Sequence, residues 1–65
     1  MKIKELLQKY VAKGVAISFD SLYSLAKVKG YYSNETDFEI DLENAMANGL
    51  VGCTIIQNQN RFFAK

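Results

Sequence analysis

The sequence predicts a small α+β fold made of three helices, a short strand and a C-terminal β-hairpin. The first observation is that apolar residues recur at helical spacing in three segments, each followed by a glycine. The second is that the apolar period changes to two after Leu50, which is typical of β-strands. Since the chain has no proline and no linker rich in glycine or serine, residues 1–65 are expected to form a single domain.

The first two helices are predicted over 2–13 and 18–29. Gly14 ends the first helix, and Ser18 supplies the N-cap of the second. Between them, 15–17 is too short for a helix, and we expect it to be a brief strand that pairs with the hairpin. The apolar stripe of the first helix consists of Ile3, Leu6, Leu7, Tyr10 and Val11.

The third helix is predicted over 36–48. Thr36 and Glu39 have the spacing of a capping box, in which each side chain satisfies a free backbone N–H at the helix start. Ser33 or Asn34 is the alternative N-cap, and either one starts the helix earlier. The inward face is expected to carry Phe38, Leu42, Ala45 and Met46.

The hairpin is predicted as two strands over 51–57 and 61–65, joined by a loop over 58–60. Because successive residues of a strand point to opposite faces, this register gives each face of the hairpin one apolar pair. The expected cross-strand pairs are Ile56 with Phe62 and Ile55 with Phe63.

The composition argues against catalysis. The chain has no histidine, so the commonest general base and metal ligand is missing. Cys53 has no such base to activate it and lies within a predicted strand, so we expect a buried structural thiol. No glycine-rich phosphate loop and no cluster with the spacing of metal ligands occurs. We therefore expect a non-enzymatic protein without a cofactor.

The sequence also bears on the compartment. No apolar run approaches the ~20 residues of a membrane span, and the N-terminus has charges where a signal peptide has an apolar region. A single unpaired cysteine fits a reducing environment. We expect a cytoplasmic protein with no membrane partner, or one in the host cytoplasm if the source is a virus.

The segments SFDSLYSLAKVKG and ENAMANGLVGCTIIQNQNRFFAK resemble parts of the winged helix-turn-helix superfamily. The first is similar to the second helix of that fold, and the second to the end of the recognition helix followed by the wing. The segments AISFDSL and NGLVGCTIIQNQNRFF also look like the winged-helix end of PCI scaffolding domains. The first resemblance implies a winged-helix fold, and the second implies assembly with other proteins.

The charges are strongly segregated along the chain. Residues 1–30 carry six lysines and two acids, for +4; residues 31–49 carry five acids and no base, for −5; residues 50–65 carry two bases, for +2. An acidic third helix is repelled by phosphates, so DNA recognition through that helix is disfavoured. The alternative function is a DNA-binding regulator that uses its first helix and wing, with contacts from Lys2, Lys4, Lys9, Asn58, Asn60 and Arg61.

One apolar residue falls outside the inward face of the third helix. Ile40 lies roughly 200° around the helix from Phe38, so we expect its side chain to be exposed among acids. Together with an outward pair of the hairpin it predicts a contact with a protein partner or a second copy, in a small regulator, inhibitor or adaptor. The predicted interaction residues are Glu39, Ile40, Glu43, Ala47, Ile56 and Phe62.

Overall fold

A computed structural model describes residues 2–65, and it confirms the predicted α+β fold. Residues 2–65 form three helices and a three-stranded antiparallel sheet, two strands of which make a C-terminal β-hairpin. The elements in order are α1 (Lys2–Tyr10), β1 (Ile17–Ser18), α2 (Phe19–Val28), α3 (Glu35–Ala47), β2 (Val51–Ile56) and β3 (Gln59–Ala64).

Both ends of α2 and the C-terminal end of α3 lie within one residue of their predicted positions, whereas α1 ends three residues early and α3 has a different N-cap. Helix α1 ends at Tyr10, not at residue 13, because a turn closed by the Val15 N–H to the Ala12 carbonyl at 3.0 Å redirects the chain toward β1. Helix α3 begins at Glu35, and its N-cap is Asn34, so the predicted capping box at Thr36 is wrong and the alternative is confirmed.

The Asn34 cap has a second hydrogen bond that explains its preference over Thr36. Its Oδ1 accepts from the Asp37 backbone N–H at 2.9 Å, and its Nδ2 donates to the Asp37 carboxylate at 3.0 Å. One side chain thus satisfies a free N–H of the first turn and holds an acid at the positive end of the helix dipole. At the second helix, Ser18 caps as predicted, and its Oγ accepts from the Ser21 N–H at 3.4 Å.

The C-terminal end of α3 is closed by Gly49, which has a φ of +73°. The Gly49 N–H donates to the Met46 carbonyl, and the Leu50 N–H donates to the Ala45 carbonyl at 2.9 Å. This pair of bonds is the Schellman motif, which needs a left-handed residue that glycine adopts without steric cost. The motif turns the chain directly from α3 into β2.

The hairpin register differs from the predicted one. Gln57 and Asn58 both have positive φ, at 53° and 63°, and form a two-residue turn, so β3 begins at Gln59. Such a turn is favoured between antiparallel strands because its backbone twist matches the right-handed twist of the strands that it joins. The pairs predicted around Ile56 and Ile55 are therefore wrong. The observed partners are Cys53 with Phe62, Gly52 with Phe63, Ile55 with Asn60 and Ile56 with Gln59.

Strand β3 is the central strand of the sheet, whose order is β1-β3-β2. Ile17 pairs with Phe62 and Ser18 with Arg61, so the brief strand predicted before α2 is present, displaced toward Ser18. The core lies between the helices and one end of the sheet. Its buried members include Ile3, Leu6, Leu7, Leu22, Ala26, Tyr32, Phe38, Leu42, Ala45, Val51 and Phe62.

The buried position of Leu42 gives a direct test of this packing. Leu42 is only 2 % exposed, so a Leu42→Asp substitution places a carboxylate without a partner in the core. We expect the variant to be unfolded, because that cost exceeds the stability margin of a domain this small. Circular dichroism during thermal melting measures the stability of the variant, with Glu43→Asp at the exposed neighbouring position as the control. A Leu42→Asp protein with the wild-type melting curve would contradict the assignment.

A candidate protein-interaction surface

The outward face of α3 is defined by the burial of its inward face. The Phe38 ring has its centroid 5.2 Å from that of Phe19, 5.3 Å from that of Tyr23 and 5.6 Å from that of Tyr32. These rings, together with buried Leu42, fix the rotation of α3 about its axis. The opposite side of the helix must therefore face solvent.

Ile40 is on that opposite side and is 51 % exposed, as the helical period predicts. Glu39, Glu43 and Ala47, which were predicted to surround it, are also exposed. The face thus combines one large apolar side chain with acids, and α3 has no basic residue in its last turn. This is the arrangement of an apolar contact with a polar rim.

A small depression of about 290 Å³ borders Ile40 on one side. Its wall includes the Tyr32 side chain, whose hydroxyl donates a 2.6 Å hydrogen bond to the Asp41 carboxylate. The Lys2 ammonium lies 5.6 Å from the centroid of the Tyr32 ring. The full lining is Lys2, Tyr31, Tyr32, Ser33, Asp37, Ile40 and Asp41.

The role of Asp41 was not apparent from the sequence, where it is one of five acids on α3. In the structure it is half-buried, and its hydrogen bond with Tyr32 anchors the loop between α2 and α3 to α3. Burial, the hydrogen bond to Asp41 and the charge of Asp41, in that order, raise the pKa of Tyr32 above its ordinary value. The only available signal was the spacing of nine residues between a tyrosine and an acid, which is not specific.

The hairpin residues predicted for the interaction surface are separated from one another. Phe62 is 5 % exposed and belongs to the core, so its predicted exposure is wrong, because the shifted register turns it toward Ile17 and the helices. Ile56 is 45 % exposed, on the other face of the sheet. Ile40 and Ile56 line two different depressions that have no lining residue in common.

The depression beside Ile56 is an open groove of about 910 Å³. It lies between the end of α1, the following loop and the outer face of the hairpin, where the Phe63 ring covers Gly52. A Cβ added to Gly52 would stand 2.2 Å from Cζ of Phe63, so the glycine is required for this ring position. The groove is lined by Leu7, Gln8, Val11, Ala12, Lys13, Gly14, Val15, Ala16, Thr54, Ile56, Phe63, Ala64 and Lys65.

The residues predicted for DNA contact differ in solvent exposure and in the contacts that they already make within the domain. Arg61 is half-buried, and its Nη1 donates to the Ala16 carbonyl at 3.5 Å while its Nη2 donates to Gln59 at 3.2 Å. Its guanidinium therefore braces β3 against the segment before β1. Lys2 and Lys9 are exposed, but the Lys9 ammonium lies 5.5 Å from the centroid of the Tyr10 ring.

The other members of that set differ in burial. Lys4 is half-buried on α1, whereas Asn58 and Asn60 are exposed at the tip of the hairpin. Lys9 and Lys29 form a basic pair that the sequence did not indicate: both ammonium groups approach the Tyr10 ring, and that of Lys29 lies 4.9 Å from its centroid. The positive charge of this region is thus arranged around an aromatic ring.

Residues 2–65 also lack two kinds of structural feature. No helix in that range is long and apolar enough to cross a membrane. In the same range no group of three or more histidine, cysteine, aspartate or glutamate side chains is arranged to hold a metal ion. The single cysteine, Cys53, is exposed on β2, although a buried position was predicted for it.

The Tyr32 hydroxyl predicts a pH dependence of stability. A pKa raised on folding stabilises the protein fully below the unfolded value of about 10, and this stabilisation is lost as the pH rises beyond it. We expect the Tyr32→Phe variant to lose about 1 kcal/mol at neutral pH but to show a shallower decline above about pH 10. Urea unfolding at several pH values measures both effects, with Tyr31→Phe as the control. Parallel curves for the wild type and Tyr32→Phe would contradict the role of this hydrogen bond.

Comparison with known proteins identifies no relative of this chain. The chain matches no protein-family model, and no curated protein or solved structure is significantly similar to it.

Proposed function

We propose that this domain is a non-enzymatic binding module that acts as a small regulator, inhibitor or adaptor by contact with another protein. The observation that carries the proposal is the half-exposed Ile40 at the centre of the acidic outward face of α3. An apolar side chain in such a position loses contact with water when a partner covers it, and the acids around it select the partner by charge.

The order of elements supports placing the domain in the winged-helix class. Helix, short strand, two helices and a terminal hairpin follow one another as the resemblance implies. In that class α3 would be the recognition helix, and the hairpin would be the wing. Since one fold hosts many functions, the choice between a protein and DNA as the partner has to come from the surface chemistry.

The charge of α3 favours the protein partner. The helix carries Glu35, Asp37, Glu39, Asp41 and Glu43 and no base, which gives −5. A duplex would place its phosphates against this charge, and phosphate neutralisation is the main source of non-specific affinity. The bracing of Arg61 against the Ala16 carbonyl further reduces the basic side chains free for a wing contact. The single unpaired Cys53 fits a cytoplasmic location.

The main test is the substitution Ile40→Glu. We expect the variant to fold normally, because the side chain is half-exposed, and to bind the captured partner more weakly by ~1–3 kcal/mol, the range for losing a buried apolar anchor. Titration calorimetry measures the affinity after the partner has been identified by affinity capture with nuclease treatment. The matched control is Val28→Glu, since Val28 is 80 % exposed on α2 and outside the proposed surface.

Two results would contradict the proposal. Loss of the folded state in Ile40→Glu would show that this side chain supports the core. Equal affinities of Ile40→Glu, Val28→Glu and wild type would show that α3 does not form the contact.

The alternative function, DNA binding through α1 and the hairpin, gives an opposite expectation for the acids. Neutralising the helix with Glu39→Gln and Glu43→Gln should leave the affinity for duplex DNA unchanged or raise it, because two repulsive charges are removed. Fluorescence anisotropy at two salt concentrations measures this. If the double variant abolishes a sequence-specific complex, α3 reads DNA directly and the protein-partner proposal fails.

A further inference from the structure

Strand β2 has a free edge. Within residues 2–65 it hydrogen-bonds to β3 on one side and has no strand on the other. The Lys65 N–H donates to the Leu50 carbonyl at 3.1 Å, so the backbone groups of Leu50 point toward β3. The backbone N–H and C=O groups of an antiparallel strand alternate in direction from one residue to the next. Those of Gly52, Thr54 and Ile56 therefore point toward β3, and those of Cys53 and Ile55 point away from it.

Only part of this edge is accessible. Val51 is 2 % exposed and Gly52 is buried, so the beginning of β2 is covered. Cys53 is exposed, and Ile55 is 71 % exposed, so their outward backbone groups can be reached. The strand VGCTII contains no charge and no proline, which are the usual devices that prevent edge-to-edge pairing.

We propose that the β2 edge is a self-association site, at which two copies of this chain pair their β2 strands antiparallel about a two-fold axis through Thr54. In this register Cys53 of each copy lies opposite Ile55 of the other, and each pair exchanges its outward N–H and C=O groups. Thr54 lies opposite its own counterpart. The contact uses the same patch on both copies, so it gives a closed dimer to which no third copy can add at this edge.

The register follows from the accessible groups. Pairing needs Cys53 or Ile55 on both sides, because only they present free backbone groups. An axis through Cys53 would place Ile55 opposite the buried Val51, and an axis through Ile55 would place Cys53 opposite Gln57 in the turn. Only the axis through Thr54 satisfies both residues.

The side chains of this segment are complementary to a second copy. The segment carries no charge, so pairing with itself brings no like charges together. Two threonines meet at the axis, a pair that stabilises antiparallel strands. On the same face, Ile56 would lie opposite Gly52 of the second copy, at the position where the Phe63 ring covers the glycine. This places a half-exposed isoleucine against an aromatic ring.

This site is independent of the proposed function. It uses β2, whereas the proposed partner contact uses α3, and Ile40 is not part of it. A short strand contact buries a small area, so we expect a weak, concentration-dependent dimer.

The register is tested by disulfide formation with the full chain. In a Cys53→Ser background, which removes the only thiol, Thr54→Cys places two sulfur atoms at a directly opposed pair with Cα atoms about 4.5 Å apart, suitable for a disulfide. Ile56→Cys in the same background is the matched control, because its counterparts are about four residues apart along the strand. We expect linked dimer to form at least ~10-fold faster in the Thr54→Cys variant under mild oxidation. Equal rates would overturn the proposal.

Sedimentation equilibrium of the unmodified chain tests the association itself. We expect a monomer–dimer equilibrium that Ile55→Lys weakens about 10-fold or more, because a charged side chain on the edge opposes pairing. Val28→Lys, an equivalent change at the 80 % exposed Val28, and Ile40→Glu should leave it unchanged. A wild-type chain that stays monomeric at millimolar concentration, or an Ile55→Lys variant that associates as strongly as wild type, would overturn the proposal, whatever the result for the α3 partner.

Discussion

The burial of the Phe38 ring is the constraint on which the remaining structure depends. Its ring contacts those of Phe19, Tyr23 and Tyr32, and thus joins α2, α3 and the loop between them. Because a helix turns about 100° per residue, burying this ring also determines which α3 residues face solvent. The exposure of Ile40 and the outward direction of the acidic side chains on α3 therefore follow from the burial of Phe38.

The turn at Gln57 and Asn58 has an equally wide effect on the sheet. A two-residue turn sets the register of β2 against β3, and a shift of register by an odd number of residues exchanges the faces of one strand relative to the other. The observed register directs Phe62 into the core and leaves Ile55 and Ile56 exposed. It also leaves the Phe63 ring over Gly52, in a position that a side chain at residue 52 would displace.

The charge pattern and the exposed apolar residues together give the domain two separate surfaces. The acidic face of α3 carries Ile40, and the edge of β2 carries Ile55. These surfaces differ in chemistry, since the α3 surface carries acidic side chains around Ile40 and the β2 edge offers uncharged backbone groups. The proposed partner contact on α3 and the proposed self-association site on β2 therefore share no residue.

The sequence by itself determined the features that depend on local interactions. Helical period and glycine stops were sufficient for the number and order of the three helices, for the inward face with Phe38 and Leu42, and for the exposure of Ile40. The end of α1 and the N-cap of α3 differ from the predicted ones. Only the tertiary structure decided the hairpin register, the burial of Phe62 and the Tyr32–Asp41 hydrogen bond. The physical reason is that the burial of Phe62 and the Tyr32–Asp41 hydrogen bond depend on how whole elements pack, and that the register depends on a turn whose position the apolar alternation does not determine. Alternation along a strand shows that two faces exist, but the core and the turn choose which face is buried.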